Sequence, residues 1–397
     1  MNFMPITLQL APQIMKFISE KEVAKFAKEN GEKSDELSAP NVNVYELDIS
    51  YMGQFFQRHE RVLQAGEGVK LLPQILIVGL ISGYDAFLTS LLRTVISRRP
   101  EIIMTSQKQI TFQELLEFPS IEAAREALID REIESVLRKS HHDQIDWMQT
   151  HFSVKLKEGL VVWPKFIELC ERRNLFTHSG GIISDQYLKN CKEQGVDTLD
   201  ATMGGKLGAD PAYFKSSVET VHEMGLKLCY VLWRKFEPHD TSKADEKYNA
   251  RCMDLIRRRQ YALAESLLSF SAKIPKLKEN IRRMMVVNLA NAMALQRKKD
   301  ESVKILNSED WSAASVEFEI CIAAVKADVD AVIKLMDNPG NQMSAETYRT
   351  WPVFRQIWTN DRFRAKFEEL YGEPLFKAAS TSNVAGNELP SGAQSPA

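Results

Sequence analysis

Between Pro73 and Ser97 the chain places Leu80, Tyr84, Phe87, Leu88, Leu91 and Leu92 three or four residues apart. That spacing lines one face of an α-helix, whose period is about 3.6 residues. A run this long commits the segment to a helix that needs an apolar partner. Arg99-Pro100 closes it, because the residue before proline avoids the helical region. The same period recurs downstream, whereas strand alternation is nearly absent. Gly159-Leu160-Val161-Val162-Trp163 is the one strand-like stretch, and it has no neighbour with which to form a sheet. The expectation is an all-α protein.

Boundary signals place further helices. Thr111-Phe112-Gln113-Glu114 is a capping box, in which the threonine hydroxyl meets first-turn amides and the glutamate reaches back. Ser120 opens a helix to about Lys139, and Asp143 to His151 suits a short one. Phe166, Ile167, Leu169 and Cys170 form an apolar stripe in a helix from Trp163 to Ser179, which Gly180-Gly181 stops. Asp210-Pro211, an N-cap followed by proline in the first turn, opens a helix to about Lys235. Before residue 45, Ile14 to Lys28 suits an amphipathic helix. Lys28 to Val42, with Gly31, Ser34, Ser38 and Pro40, reads as a loop or tether.

Glu237 to Ala244 reads as a domain boundary. Beyond it, Leu255–Leu268, Leu295–Leu306 and Ala324–Met336 share a form: a polar turn, then a small-residue-rich amphipathic helix ending in an apolar pair. Their ends, Leu268, Leu306 and Met336, fall at unequal intervals, the first longer than the second. This resembles tetratricopeptide hairpins in degenerate form. Trp351-Pro352-Val353-Phe354, then Phe363 to Tyr371 with Gly372, close the stack. From about Ala378 to Ala397 the composition predicts disorder. The expected divisions are residues 1–44, with no assigned role, a helical domain over 45–237, a helical-repeat domain over 245–377, and a tail over 378–397.

A net charge of −2 gives no global attraction to nucleic acid, so a polyanion site must come from a local patch. The 5 cysteines are scattered without a C-x-x-C pair, which suits reduced thiols and a cytoplasmic location. No secretory signal is evident. No stretch reaches the ~18 consecutive apolar residues of a membrane helix, so no membrane association is expected. Gly204-Gly205-Lys206-Leu207 lacks the spacing and hydroxyl of a phosphate-binding loop. There is no G-x-S-x-G elbow and no zinc-type Cys/His spacing. Adjacent histidines on a helix point about 100° apart, so His141-His142-Asp143 reads as an exposed turn and no metal or cofactor is expected.

The chemistry-bearing stretch is Arg173-Asn174-Leu175-Phe176-Thr177-His178, followed by Ser179-Gly180-Gly181. Histidine exchanges a proton near neutral pH, and the arginine fork matches phosphate oxygens. Five residues apart, Arg173 and His178 point about 140° apart on a regular helix, while Asn174 and His178 share a face. Two chains meeting along this helix could place both motifs in one cleft, which argues for a homodimer. Arg172 is the alternative partner of His178. Asp85, set among apolar residues, either supports the site or forms a structural salt bridge, with Arg93 as a possible partner. His178 could also serve only as a cation at the helix C-terminus.

The R-N-x-x-x-H pattern resembles that of the HEPN superfamily (higher eukaryotes and prokaryotes nucleotide-binding). Gly83-Tyr84-Asp85-Ala86-Phe87-Leu88, Ile110 to Leu116, Ile129 to Ile133, Pro164 to Glu168 and Asp185 to Leu188 resemble the helices around that motif in one branch. The resemblance spans roughly residues 45–237, with Ser179 standing where many members have asparagine. It implies a helical bundle followed here by the small repeat domain. It also implies a metal-independent endoribonuclease with Arg173, Asn174 and His178 as catalytic residues. RNA carries its own 2'-hydroxyl nucleophile. One histidine could move the proton, worth typically ~10² to 10⁴ in rate, while Arg173 meets charge on the phosphate. Toxin–antitoxin or anti-phage defence follows by analogy, with the repeats binding a protein partner. The competing expectation is a non-catalytic scaffold that binds RNA or protein.

Overall fold

The computed structural model describes residues 21–39, 42–104, 111–198 and 201–376. The tail over 378–397 and the first part of the expected Ile14–Lys28 helix lie outside them. The fold is all-α, with one small hairpin. The chain divides into two compact units, Met1–Tyr248 and Asn249–Ala397. The division falls inside a helix, α10 below, rather than in the punctuated stretch from Glu237 to Ala244.

In the first unit a helix over residues 21–30 (α1) leads into β1 (Gly31–Ala39) and β2 (Val42–Leu47). The strands pair antiparallel, Gly31 opposite Leu47 and Ser34 opposite Val44. This corrects the loop expected over Lys28–Val42. Glu32, Lys33 and Ser34 show no apolar alternation, so only the backbone ladder with a distant segment defines the strand. Gly31 permits that approach, since a Cβ there would lie 2.8 Å from the Glu46 carbonyl oxygen. Gly159–Trp163 forms no strand and turns directly into a helix.

The central element is α2 (Met52–Arg98), 47 residues long. It begins well before Pro73 and continues through it, although an interior proline costs a helix ~3 kcal/mol. Downstream of Pro73, Ile77, Ile81, Leu88, Leu92 and Ile96 are fully buried, and their burial at about 1.5–3 kcal/mol each outweighs that cost. There follow α3 (Glu101–Met104), α4 (Phe112–Leu116), α5 (Ile121–Leu137), α6 (His141–Phe152), α7 (Trp163–His178), α8 (Asp185–Glu193) and α9 (Pro211–Phe236). Both halves of the Thr111/Glu114 capping box form, and Ser120, Ser140 and Asp210 cap their helices through side-chain oxygens. Helices α5, α7 and α9 pack on α2. By length and composition the Leu71–Arg98 part of α2 could cross a membrane, which a count of consecutive apolar residues does not reveal. Here its inner face belongs to the core of the unit.

Helix α10 (Thr241–Arg257) runs across the division. The second unit continues with α11 (Tyr261–Ser271), α12 (Glu279–Ala294), α13 (Lys299–Asn307), α14 (Val316–Val325), α15 (Val329–Met336), α16 (Ala345–Thr350) and α17 (Asp361–Tyr371). Each stretch read from the sequence as a polar turn and an amphipathic helix contains a turn that joins two helices. Arg259, Arg297 and Ala327 occupy these turns with φ of 62°, 68° and 57°. The amide that follows each one bonds a carbonyl five positions back: Gln260 to Leu255, Lys298 to Met293, and Asp328 to Ala323. These are left-handed helix caps, and their spacing repeats the unequal intervals between Leu268, Leu306 and Met336 in the sequence. Tyr348, Phe354, Phe363 and Phe367 are wholly buried and close the core of this unit.

Candidate functional site

Trp163, Phe166, Ile167 and Cys170 recur at three- and four-residue intervals and bury one face of α7. Burial also pushes the Cys170 thiol well above its ordinary range, leaving it an inert packing group. The end of α7 is fixed more firmly than a simple glycine stop requires. The Ser179 and Gly181 amides both donate to the Leu175 carbonyl, at 2.9 and 3.0 Å, and the Leu207 amide donates to Gly181 at 2.8 Å. Gly181 has φ +88°, and a Cβ there would stand 2.5 Å from the Leu207 carbonyl oxygen. Only glycine fits, so the turn after His178 is locked to the segment around Leu207.

The two arginines of the motif have different surroundings. The Arg172 Nε donates to Glu168 Oε1 at 2.7 Å and its Nη1 to the Gly208 carbonyl at 3.1 Å. Its guanidinium lies over the Tyr213 ring, 4.1 Å from the centroid. The Tyr187 and Tyr213 hydroxyls donate to the same carboxylate, at 2.8 and 2.7 Å. Burial, and then the neighbouring Glu168 charge, push both tyrosine hydroxyls far above their usual range. Burial opposes the charge on Arg172, but Glu168 with Tyr213 and Tyr187 more than offsets it, and its pKa is raised. Arg172 is therefore committed to a structural network, on a different side of α7 from Arg173.

Arg173 turns toward α2. Its Nη2 lies 3.4 Å from Asp85 Oδ2. Its Nε is buried and, among the described residues, has no hydrogen-bond partner. Asp85 does not pair with Arg93, which reaches Asp130 and Glu126 instead. The other oxygen of Asp85 accepts from His141 Nε2 at 2.9 Å. His141 is 7% exposed, which corrects the exposed turn expected there. It belongs to the buried face of α6 with Gln144, Ile145 and Met148. The spacing of His141, Ile145 and Met148, at four and seven positions, was the available signal. The structure thus joins Arg173 and Asp85 and adds a residue, His141, that motif reasoning passed over.

Asn174 is half-buried and His178 is exposed. Among the described residues, neither makes a hydrogen bond or ion pair with Arg173, Asp85 or His141. His178 is the last residue of α7. His142, Asp143 and Asp146 on α6 offer donor atoms within 4.8 Å of one another. The Lys157 ammonium lies 2.6 Å from Asp146 Oδ1 and opposes a cation there.

No family model, curated protein or solved structure matches the chain.

Proposed function

We propose that the protein is a metal-independent endoribonuclease with a HEPN-like N-terminal unit. Arg173 holds the scissile phosphate, His178 moves the proton, and Asn174 orients the histidine or bonds a phosphate oxygen. The observation that carries this reading is the under-used guanidinium of Arg173. It sits half-buried beside Asp85 with one long contact and an unpaired Nε. Leaving such a donor unpaired costs about 1–3 kcal/mol, and the exposed part of the same side chain is open to a phosphate oxygen. The 2'-hydroxyl attacks phosphorus, the 5'-oxygen leaves with a proton, and a 2',3'-cyclic phosphate remains.

Arg173 and His178 diverge within one chain, so the reading includes a homodimer in which α7 of each protomer contributes to one cleft. The helical hairpins of the second unit serve as a platform for a protein partner. A cytoplasmic location and a role in toxin–antitoxin or anti-phage defence complete the reading. The competing one, a non-catalytic scaffold, draws on the Asp85–Arg173 pair, since a retired site would also neutralise its arginine. Purified full-length protein incubated with mixed RNA in a metal chelator separates the two. Cleavage with cyclic phosphate ends, lost in His178→Ala, is the expected result. Activity that disappears with chelator and returns with magnesium excludes the proposed chemistry.

A further inference from the structure

We propose that His141 is a positioning residue for Arg173, acting through Asp85. Three helices supply the relay: His141 opens α6, Asp85 lies in the C-terminal third of α2, and Arg173 lies on α7. Side chain to side chain, the links are 2.9 Å from His141 Nε2 to Asp85 Oδ1 and 3.4 Å from Asp85 Oδ2 to Arg173 Nη2. An ionised carboxylate only accepts, so Nε2 carries the proton of the first link. The Asp85 side chain is 34% exposed, whereas that of His141 is 8% exposed. The carboxylate is thus the mobile member and the imidazole the fixed one.

The ring is fixed from two sides. Tyr84 and Phe166 stand 6.1 and 6.0 Å from it, centroid to centroid, the second edge to face. Tyr84 precedes Asp85 on α2, and Phe166 lies two turns before Arg173 on α7. The clamp on the histidine is therefore built from the same helices as the pair it joins. His141 is also anchored along the chain, because the Ser140 hydroxyl caps α6 by accepting from the Asp143 amide at 3.2 Å. With Oδ1 held, Asp85 can present only Oδ2 to the guanidinium. That restricts Arg173 to one orientation, with the buried Nε outside the pair. Without His141 the carboxylate rotates, takes both of its oxygens to the arginine or to water, and the single orientation of Arg173 is lost.

The kinetic part of this proposal rests on the ribonuclease reading, and the spectroscopic part does not. The experiment uses the full-length chain with His141→Leu, which keeps the packing on Tyr84 and Phe166, and His141→Gln, whose amide N–H can still donate to Asp85. The first measurement is nitrogen-15 resonance spectroscopy of the arginine side chains, with Arg173→Lys to assign the signal. Restricted guanidinium rotation is expected in the native protein and in His141→Gln, and faster rotation in His141→Leu. The second is RNA cleavage: His141→Leu should lower kcat by about 10²-fold, as misplacement of a site group does, with KM little changed and His141→Gln recovering most of the loss. An Arg173 signal identical in His141→Leu and native protein overturns the proposal, whatever the activity. A native protein that cuts no RNA removes the ribonuclease reading and leaves the spectroscopic comparison to decide the role of His141. If His141→Leu does not fold, the same signal compared between native protein and His141→Gln decides it, and a freed guanidinium in a folded His141→Gln overturns the relay.

Discussion

Arg172 and Arg173 are neighbours in sequence and opposites in environment. Arg172 has a carboxylate at close range, a backbone carbonyl and an aromatic ring. Arg173 shares its carboxylate with a histidine at longer range and keeps an unpaired buried Nε. A saturated charge serves the fold, because nothing that arrives later can bind it better. An under-paired charge has interaction energy in reserve. The contrast explains why an R-N-x-x-x-H pattern and an R-x5-H pattern on one helix are not equivalent, although each has the same chemical groups.

The sharpest test of this contrast is a pair of alanine substitutions. Arg173→Ala should reduce RNA cleavage by roughly 10²- to 10⁴-fold, the range for losing a key transition-state contact or proton carrier, and His178→Ala should do the same. Unfolding in urea should show that Arg173→Ala costs only about 1 kcal/mol, because its side chain is partly exposed and its ion pair long. Arg172→Ala should reverse the pattern. It leaves the half-buried Glu168 without its cation, so a loss of about 2–3 kcal/mol in unfolding free energy is expected, with the activity of the folded fraction largely kept. Equal stability losses for the two variants would erase the distinction between them.

A smaller effect tests whether the end of α7 is part of the same device. Gly181→Ala meets the Leu207 carbonyl and an unfavourable φ. It should cost about 2 kcal/mol, measured by thermal unfolding, and should lower cleavage by displacing His178 while leaving Arg173 in place. Unchanged activity would separate the helix end from the site. The smallest effect is a control in the other unit. Ala327→Gly relieves a left-handed alanine and should stabilise that unit by about 0.5–1 kcal/mol, with no change in basal cleavage. A change in activity there would tie the hairpin turns to catalysis.

Much of the helical fold was legible because its signals are local. Ser120, the Thr111/Glu114 box and Asp210-Pro211 each mark a helix start through contacts within a single helical turn. Gly180-Gly181 marked the end of α7, although its attachment to Leu207 did not show. The hairpin over Gly31–Leu47 was missed because its order comes from pairing between segments rather than from an apolar pattern. The extension of α2 ahead of Pro73 was missed because a local rule about proline was outweighed by burial further along the chain. The unequal repeat intervals in the second unit were readable, but the helix limits were not, since non-glycine residues at Arg259, Arg297 and Ala327 concealed the turns. At the site, the motif drew attention to Arg173, and Asp85 was noticed as a polar residue among apolar ones. His141 was passed over because its partner lies 56 residues away, a separation at which spacing carries no information.

The place of Asp85 on α2 has a consequence for the order of synthesis. It lies midway along the Leu71–Arg98 stretch, which by length and composition could enter a bilayer. Arg173, its cation, follows 88 residues later. At ~5–20 residues per second, the emerging chain carries this helix for roughly 4–18 s before the arginine exists. Through that interval the Asp85 carboxylate opposes capture by lipid, at about 2.5–3.5 kcal/mol near the middle of a spanning segment, and Arg93 adds a second charge to the same stretch. The carboxylate that makes this helix costly to insert is thus the same one that later meets the arginine.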